Sequence, residues 1–536
     1  MAKLVRAEPV LLSVLAVVLG VAAAYGSIAF RMLISAVQSV AYGSGSELLF
    51  SIARDLAWWH ILLAPTLGGL MIGLIVHFAL PERRNRGVAD VIEAGALYHG
   101  RMPFTAGLGA AAVAALSIGA GASTGREGPV VLLGATLAGR ISKALSLGRS
   151  TALTLLGCGV ASAVAASFNA PIAGVFFALE VVVGSYALAA FAPVVIASVT
   201  GTIIARIHIG DFPAFIVPDF GIVSFLEFPA FIMLGLVSAA VAGLFMWSTM
   251  LTEDMVKRVP APPWTRPMFG GFAVGVIAIF FPQVLGVGYE ATNLALTTSL
   301  SLWLLIALVI AKTAATAISI GCGFAGGVFS PSLFIGAMVG GAFGIIAGGV
   351  FPEYASSPSA YSIIGMGAVT AAVLGAPIST ILIVFEITGD YGVTIAVMIA
   401  TAVATVVIQK IPGQSFFHWQ LMRRGVNIHR DRLHDLLQSI TARETMIDAA
   451  LLRERHGGEI IMETGSTAPP GTVVVRLDDN IEDILAVMEC RGVEHLAVIE
   501  HGDQRRVVGM VSRADILAAH NRALMVHKDY KSSDHD

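Results

Sequence analysis

Between Ala291 and Phe385 the chain carries only two charged side chains, Lys312 and Glu353. A water-soluble core has no use for so long an apolar run. Similar stretches recur from Pro9 to Ile411, among them ILLAPTLGGLMIGLIVHFAL and FIMLGLVSAAVAGLFMW. The class follows: an all-α, polytopic, integral membrane protein. Only 13% of the 536 residues are charged, against roughly 25% in soluble domains, and the net charge of −3 gives no basis for a nucleic-acid partner. Many apolar stretches miss the ~20 residues of a simple span, because glycine and proline interrupt them. Broken helices leave backbone amides unpaired at membrane depth, which is tolerated only where protein or a wet cavity satisfies them.

The N-terminal MAKLVRAEPVLLSVLAVVLGVAAAYG superficially resembles a signal peptide. Its apolar region is long and further membrane segments follow, so it reads as a retained first helix. Lys3 and Arg6 before it, with Arg83, Arg84 and Arg86 in the first interhelical loop, point to the cytoplasmic side. An even number of crossings then returns the C-terminus there, in a bacterial-type inner or plasma membrane. Cys158, Cys322 and Cys490 lie far apart, without metal-ligand spacing, and read as packing residues.

The membrane part contains an internal duplication. GREGPVVLLGATLAG (Gly125–Gly139) and GVFSPSLFIGAMVGG (Gly327–Gly341) share Gly, Pro, Gly, Ala and Gly at one common offset. Each is followed by a second pair, NAPIAGVFFALE (Asn169–Glu180) and GAPISTILIVFE (Gly375–Glu386), in which Pro171 and Pro377 precede Glu180 and Glu386 by the same spacing. Transporter folds built from repeats place their sites at the repeat interface, where half-helix N-termini point at anionic ligands. G-x-x-x-P suits that role: glycine permits close approach, proline fits a first helical turn, and the amides there attract negative charge. Two such N-termini converging at the midplane are expected. Arg126 and Glu127, charged residues in apolar surroundings, would otherwise be only a buried pair at a helix start.

Taken together in this order, G-R-E-G-P at Gly125–Pro129, G-x-F-x-P at Gly327–Pro331, the two P-x8-E blocks and FHWQLMRRG resemble the CLC family of chloride channels and chloride/proton antiporters. The likeness spans roughly residues 60–425. It implies an inverted-repeat fold with broken helices, and a homodimer in the lipid bilayer whose subunits each hold an anion pathway. By the same resemblance Glu127 is the gating glutamate, whose carboxylate stands in for the permeant anion and leaves when protonated or displaced. Amides of Arg126, Glu127 and Gly128 line that region, and amides of Val328 and Phe329 hold a central anion.

The sequence also departs from the family pattern. Glu180 is followed by Val181, where antiporters often carry a proton-handling glutamate, so passive conduction of chloride is the leading expectation. A chloride/proton antiporter, with Glu127 and Glu180 on the proton route, is the alternative; Glu180 and Glu386 otherwise read as helix-end carboxylates. The family's pore tyrosine aligns with Phe417, which lacks the hydroxyl. The serine of the family's G-S-G-I-P segment aligns with Arg86 in NRGVAD, which either faces the pore and binds the anion or, the favoured reading, marks the cytoplasmic side. Selectivity among chloride, nitrate and fluoride therefore loses its usual side-chain basis. Lys312, whose repeat counterpart is Ala110, is expected to raise the potential along the path. A divalent-cation transporter would need intramembrane acidic clusters, and an enzyme would need catalytic motifs; neither pattern occurs, and no metal site or enzymatic activity is expected.

The expected boundaries are a transmembrane domain over 1–411, with a second repeat starting at about 225–265, a linker over 412–440, and a CBS-like domain over 441–525. In the last, TVVVRL, NIEDILAVMECRG, HLAVIE, RVVGMVS and ADILAAHNRAL give strand, helix, strand, strand, helix. This order resembles a CBS domain, with a degenerate first copy in 441–470 and a second over 471–525. Ser512 and Asp515 match positions that contact an adenine nucleotide in binding members, although a dimer-stabilising module without a cofactor is the favoured reading. Residues 526–536 lack apolar anchors and are expected to be disordered.

Overall fold

Apolar helices of very unequal length make up the membrane part. They run α1 (Ala2–Tyr42), α2 (Leu49–Asp55), α3 (Trp58–Phe78), α4 (Val88–Leu97), α5 (Phe104–Gly119) and α6 (Glu127–Ala144). Then come α7 (Arg149–Phe168), α8 (Pro171–Phe177), a π-helical turn at Ala178–Val183, and α9 (Leu188–Ile209). The second half runs α10 (Phe228–Arg258), α11 (Arg266–Phe280), α12 (Tyr289–Thr297), α13 (Leu302–Gly321) and α14 (Phe329–Val350). It closes with α15 (Pro358–Leu374), α16 (Pro377–Thr388), α17 (Tyr391–Ile408) and α18 (Phe416–Arg423). The computed structural model describes residues 2–46, 48–186, 188–211, 215, 222, 224–297, 300–410, 415–426, 441–447, 462–469, 472–499 and 506–519. Among these, eight helices are long and apolar enough to cross a membrane.

The order α3–α9 recurs as α11–α17, and so does the packing: α6 lies on α7 as α14 lies on α15, while α3 touches α11 and α8 touches α16. Small residues let these helices approach. A Cβ on Gly134 would stand 2.2 Å from the Gly159 carbonyl, and one on its counterpart Gly336 would stand 2.5 Å from that of Gly365, as expected where close van der Waals packing drives helix association in lipid. The counterparts α7 and α15 are buried along most of their length, whereas α1 and α3 expose Val14, Val18, Leu67 and Met71. Both buried helices end in a left-handed residue, Asn169 (φ 57) and Gly375 (φ 68), a conformation that those two residue types tolerate best. This turn starts each Pro-led helix, which explains the NAP and GAP tripeptides.

The chain divides into two compact units, Met1–Val426 and Asn427–Asp536. The first extends past the boundary expected at 411, because α18 buries Phe416, Phe417 and Leu421 and contacts α4 and α15. Of the expected linker, 415–426 thus belongs to the membrane unit, and 427–440 lies outside the described residues.

In the second unit, strands β1 (Val474–Arg476), β2 (His495–Ile499) and β3 (Val507–Ser512) form one sheet in that order. The pair β1–β2 is parallel and β2–β3 antiparallel. Helix α19 (Ala442–Thr445) precedes β1, and α20 (Ile481–Arg491) crosses from β1 to β2. The Asn480 side chain caps α20 by accepting from Asp483 N at 2.8 Å. Ala442 packs into the core of Val475, Ile484, Met488 and Val511, and Ala468 packs with Val507 and Met510. The described parts of the expected first copy therefore contribute to the core of the second. Residues 448–461 and the expected disordered tail lie outside the described residues.

Candidate functional site

The two G-x-x-x-P segments meet. Gly125 N–H donates to the Gly327 carbonyl at 2.7 Å and Gly327 N–H donates back at 2.8 Å, an antiparallel bridge between equivalent positions. Such reciprocity is what a two-fold relation between the halves produces. Glycine favours this approach: a Cβ on Gly128 would stand a tight 3.1 Å from Gly327 Cα, and one on Gly327 would stand 3.0 Å from Gly128 N. Helices α6 and α14 begin two residues beyond the bridge, so both first turns open onto the same region. The first amides of a helix have no intrahelical acceptor, and neither N-cap residue, Arg126 or Val328, supplies a side-chain cap. Side chains do cap α15, α17 and α18, from Ser357, Asp390 and Ser415. Two buried helix starts of this kind, side by side, form a locus for negative charge.

An acidic side chain stands there, that of Glu127, which is 2% exposed. Tyr289 donates its hydroxyl to Oε1 at 2.5 Å, and Ser330 donates to Oε2. Arg126 Nε stands 3.8 Å from Oε1, and the Arg126 guanidinium lies 4.6 Å from the Tyr289 ring centroid. The carboxylate thus meets two hydroxyl donors and a cation beside the helix starts.

Cavities flank the junction. A small one is lined by Glu127, Gly128, Val328, Phe329 and Phe417, with Val88. The Phe329 ring packs against Phe168 and Phe177, 5.0 and 6.1 Å between centroids. A wider cavity shares Gly128, Val328 and Phe417 and also meets Arg84, Arg86 and Arg424. A third is lined by Arg126, Tyr289, Arg31, Gln38 and Gln283. The Glu127–Tyr289 hydrogen bond joins a residue of the small cavity to a residue of the third.

The structure therefore brings Arg126, Glu127, Gly128, Val328, Phe329 and Phe417 together, and sets Arg86 on the wider cavity. It places the other expected residues elsewhere. Glu180 accepts from Ile378 N at 3.1 Å, from Ser379 N at 2.8 Å and from the Ser379 hydroxyl, at the start of α16. Its counterpart Glu386 accepts from Ile172 N at 2.9 Å and Ala173 N at 2.7 Å, at the start of α8. Each carboxylate caps the other repeat's Pro-led helix. Lys312 is fully buried and donates to the Val284 and Gly286 carbonyls, both at 3.0 Å, with Nζ 5.1 Å from the Phe334 ring centroid. Both carbonyls belong to the segment just before α12, whose first residue is Tyr289. In the second unit Ser512 donates to Asp515 and accepts from Asp515 N at 3.1 Å, a cap for the helix over 513–519.

Sequence reasoning missed Ser330 and Tyr289. Ser330 stands at the repeat position of Gly128, just before the motif proline, so the motif itself held that signal. Tyr289, in the GVGYEATN segment, has no motif around it that points to Glu127.

The family profile described as "Voltage gated chloride channel" matches residues 68–409, and that of the "CBS domain" matches 467–522. A "Putative chloride channel protein ClcB-like" of Ralstonia nicotianae is 36% identical over 387 residues, covering 71% of this chain and 90% of that one. The "Voltage-gated ClC-type chloride channel ClcB" of Escherichia coli O17:K52:H18 is 30% identical over 408 residues, covering 75% and 97%. Among solved structures, a slow cyanobacterial Cl-/H+ antiporter superposes with a TM-score of 0.69 at 23% identity, covering 77% of this chain and 97% of that one. A eukaryotic CLC transporter gives 0.67 at 19% identity, covering 94% and 97%.

Proposed function

The chain belongs to the CLC family of voltage-gated chloride channels and antiporters, and from that premise we propose that it conducts chloride passively through the junction of α6 and α14. The carrying observation is that neither N-cap residue of these two buried helix starts supplies a side-chain cap, while the Glu127 carboxylate stands beside them. A carboxylate is the side chain that can imitate a small monovalent anion at a site built for negative charge. When a proton neutralises it, or an anion displaces it, the hydroxyls of Tyr289 and Ser330 and the helix amides become available to the permeant ion. The small cavity, with Val328, Phe329 and Phe417, would then hold the central anion.

Passive conduction, rather than exchange for protons, draws support from Glu180 and Val181. Both Glu180 oxygens accept backbone amides of α16, so protonating it would weaken charge-assisted bonds. Val181 is buried and has no group that could carry a proton. The wider cavity would face the cytoplasm: Arg84, Arg86, Lys257 and Arg266 line it, and two spans, Val10–Tyr42 and Trp58–Phe78, return the chain to the side of its N-terminus. For the second unit a dimer-stabilising role is favoured over nucleotide binding, because Ser512 and Asp515 satisfy each other as a helix cap.

Simultaneous recording of halide and proton flux from proteoliposomes tests the passive mode. Chloride movement without uphill proton movement is the expected result; a chloride gradient that drives protons uphill would establish exchange instead.

A further inference from the structure

We propose that Lys312 is a positioning residue for the gate: with Thr316 and Ser319 on the same face of α13, it fastens the two segments that bring Tyr289 and Glu127 together. The inference rests on the conduction pathway proposed above and names what holds its gate in register. The three residues are spaced i, i+4 and i+7, which puts them on one side of a helix, and all three are fully buried. Lys312 Nζ donates to the carbonyls of Val284 and Gly286, both at 3.0 Å, in the segment that leads to Tyr289. The approach is tight: a Cβ on Gly288, whose φ is +88, would stand 3.1 Å from Nζ. One helical turn on, the Thr316 hydroxyl meets that of Ser123 at 3.1 Å, and in the next turn Ser319 Oγ accepts from Ser123 N, also at 3.1 Å. Ser123 lies in the segment that leads to Glu127. The two segments are also joined directly, Gly286 N–H donating to the Gly121 carbonyl at 3.3 Å.

The repeat separates what the frame needs from what the gate adds. At the repeat offset α5 carries Ala110, Ala114 and Ser117 in place of the three residues of α13. Ser117 Oγ accepts from Ala325 N at 3.1 Å, the counterpart of the Ser319–Ser123 bond, so the serine clasp is common to both halves and belongs to the frame. The lysine and the threonine are not duplicated, and Ala325, at the position of Ser123, has no hydroxyl to offer. Glu127 itself is matched by Phe329, whose ring needs no hydrogen-bond partner. The extra fastening thus occurs in the half that holds the gate carboxylate and is alanine in the half that does not. Burying a lysine amine is costly without acceptors, and two main-chain carbonyls supply them here. One Nζ atom therefore fixes the turn that ends three residues later at Tyr289, whose hydroxyl reaches Glu127 Oε1 at 2.5 Å. A hydrogen bond weakens steeply when misaligned, so slack in this turn is felt at the gate.

The test measures chloride flux in proteoliposomes at one fixed pH for the native protein, Lys312→Met, Tyr289→Phe and the double variant. Methionine fills the space of the lysine stem without its donors. Lys312→Met should change flux in the same direction as Tyr289→Phe and by up to about tenfold, the worth of the one hydrogen bond that both impair. In the double variant the Lys312 substitution should have no further effect, because the bond it weakens is already gone. Thr316→Val is the milder arm and carries the test if Lys312→Met does not fold. It removes only the hydroxyl contact with Ser123, should change flux about two- to fivefold, and should lose that effect in the Tyr289→Phe background. An equal effect of either substitution in both backgrounds, as loss of folded protein or of a remote positive charge would give, overturns the positioning while leaving the pathway standing. No effect in either background overturns it as well. Absence of chloride flux in the native protein would remove the pathway and the positioning with it.

Discussion

Four helix starts built from the duplicated motifs invite comparison, because they end in two different ways. Helices α8 and α16 are each sealed by a carboxylate from the opposite repeat, Glu386 and Glu180, bonded to two backbone amides. Helices α6 and α14 get no cap from their N-cap side chains and have Glu127 beside them, held by hydroxyls. The first arrangement fixes negative charge and ties the halves together. The second makes the charge removable, since a hydroxyl that donates to a carboxylate can equally donate to a halide. On the proposed reading, one duplicated frame yields both a structural clasp and an ion site, and the difference lies in where the acid is anchored.

Substituting Glu127 attacks that contrast most strongly. Glu127→Gln should abolish the pH dependence of chloride flux and pass several-fold more chloride at neutral pH, because the neutral amide imitates the protonated, displaced carboxyl. Flux measured across a pH series decides it; an unchanged pH profile would remove Glu127 from the gate. Tyr289→Phe and Ser330→Ala each delete one donor to the ionised form. Each should loosen the hold on the carboxylate and change chloride flux at fixed pH by about tenfold or more, since a hydrogen bond to a charged group is worth roughly 1.5–3 kcal/mol. Unchanged flux in both variants would contradict the assignment.

How much of this was readable beforehand differs between the two arrangements. The frame was visible, because Gly125/Gly327 and Pro129/Pro331 share one offset and their chemistry dictates close approach and a helix start. Glu127 stood out as charge in apolar sequence. The destinations of Glu180 and Glu386 were not readable: spacing along the chain shows that each ends a helix, but not that it reaches the opposite repeat. Tyr289 was hidden for the same reason, being a long-range partner in a segment without a repeated motif. Phe417 was legible through the family pattern, whereas the packing of α18 with the membrane unit was not, because polar residues alternate with its buried Phe416, Phe417 and Leu421.

The clasp makes a complementary prediction. Glu386→Gln should leave the pH profile of flux intact and instead lower stability by about 1–2 kcal/mol, the usual worth of a helix cap with charge at the N-terminus, as a drop in melting temperature in detergent. A changed pH profile with unaltered stability would erase the distinction between the two kinds of carboxylate. Smallest is the effect expected at Phe417, which lines the small cavity. Phe417→Tyr should tighten halide binding by about two- to tenfold, the net worth of one added hydrogen bond, read by calorimetric titration; unchanged binding would mean that the ring edge does not reach the anion.

The removable carboxylate is tested most directly by anomalous diffraction from crystals of Glu127→Gln soaked in bromide, beside native crystals treated alike. A bromide peak within hydrogen-bond distance of the Tyr289 and Ser330 hydroxyls in the variant, where the native protein holds its carboxylate, is the expected result. Variant crystals with no bromide between the starts of α6 and α14 would show that these helix ends do not bind an anion at all.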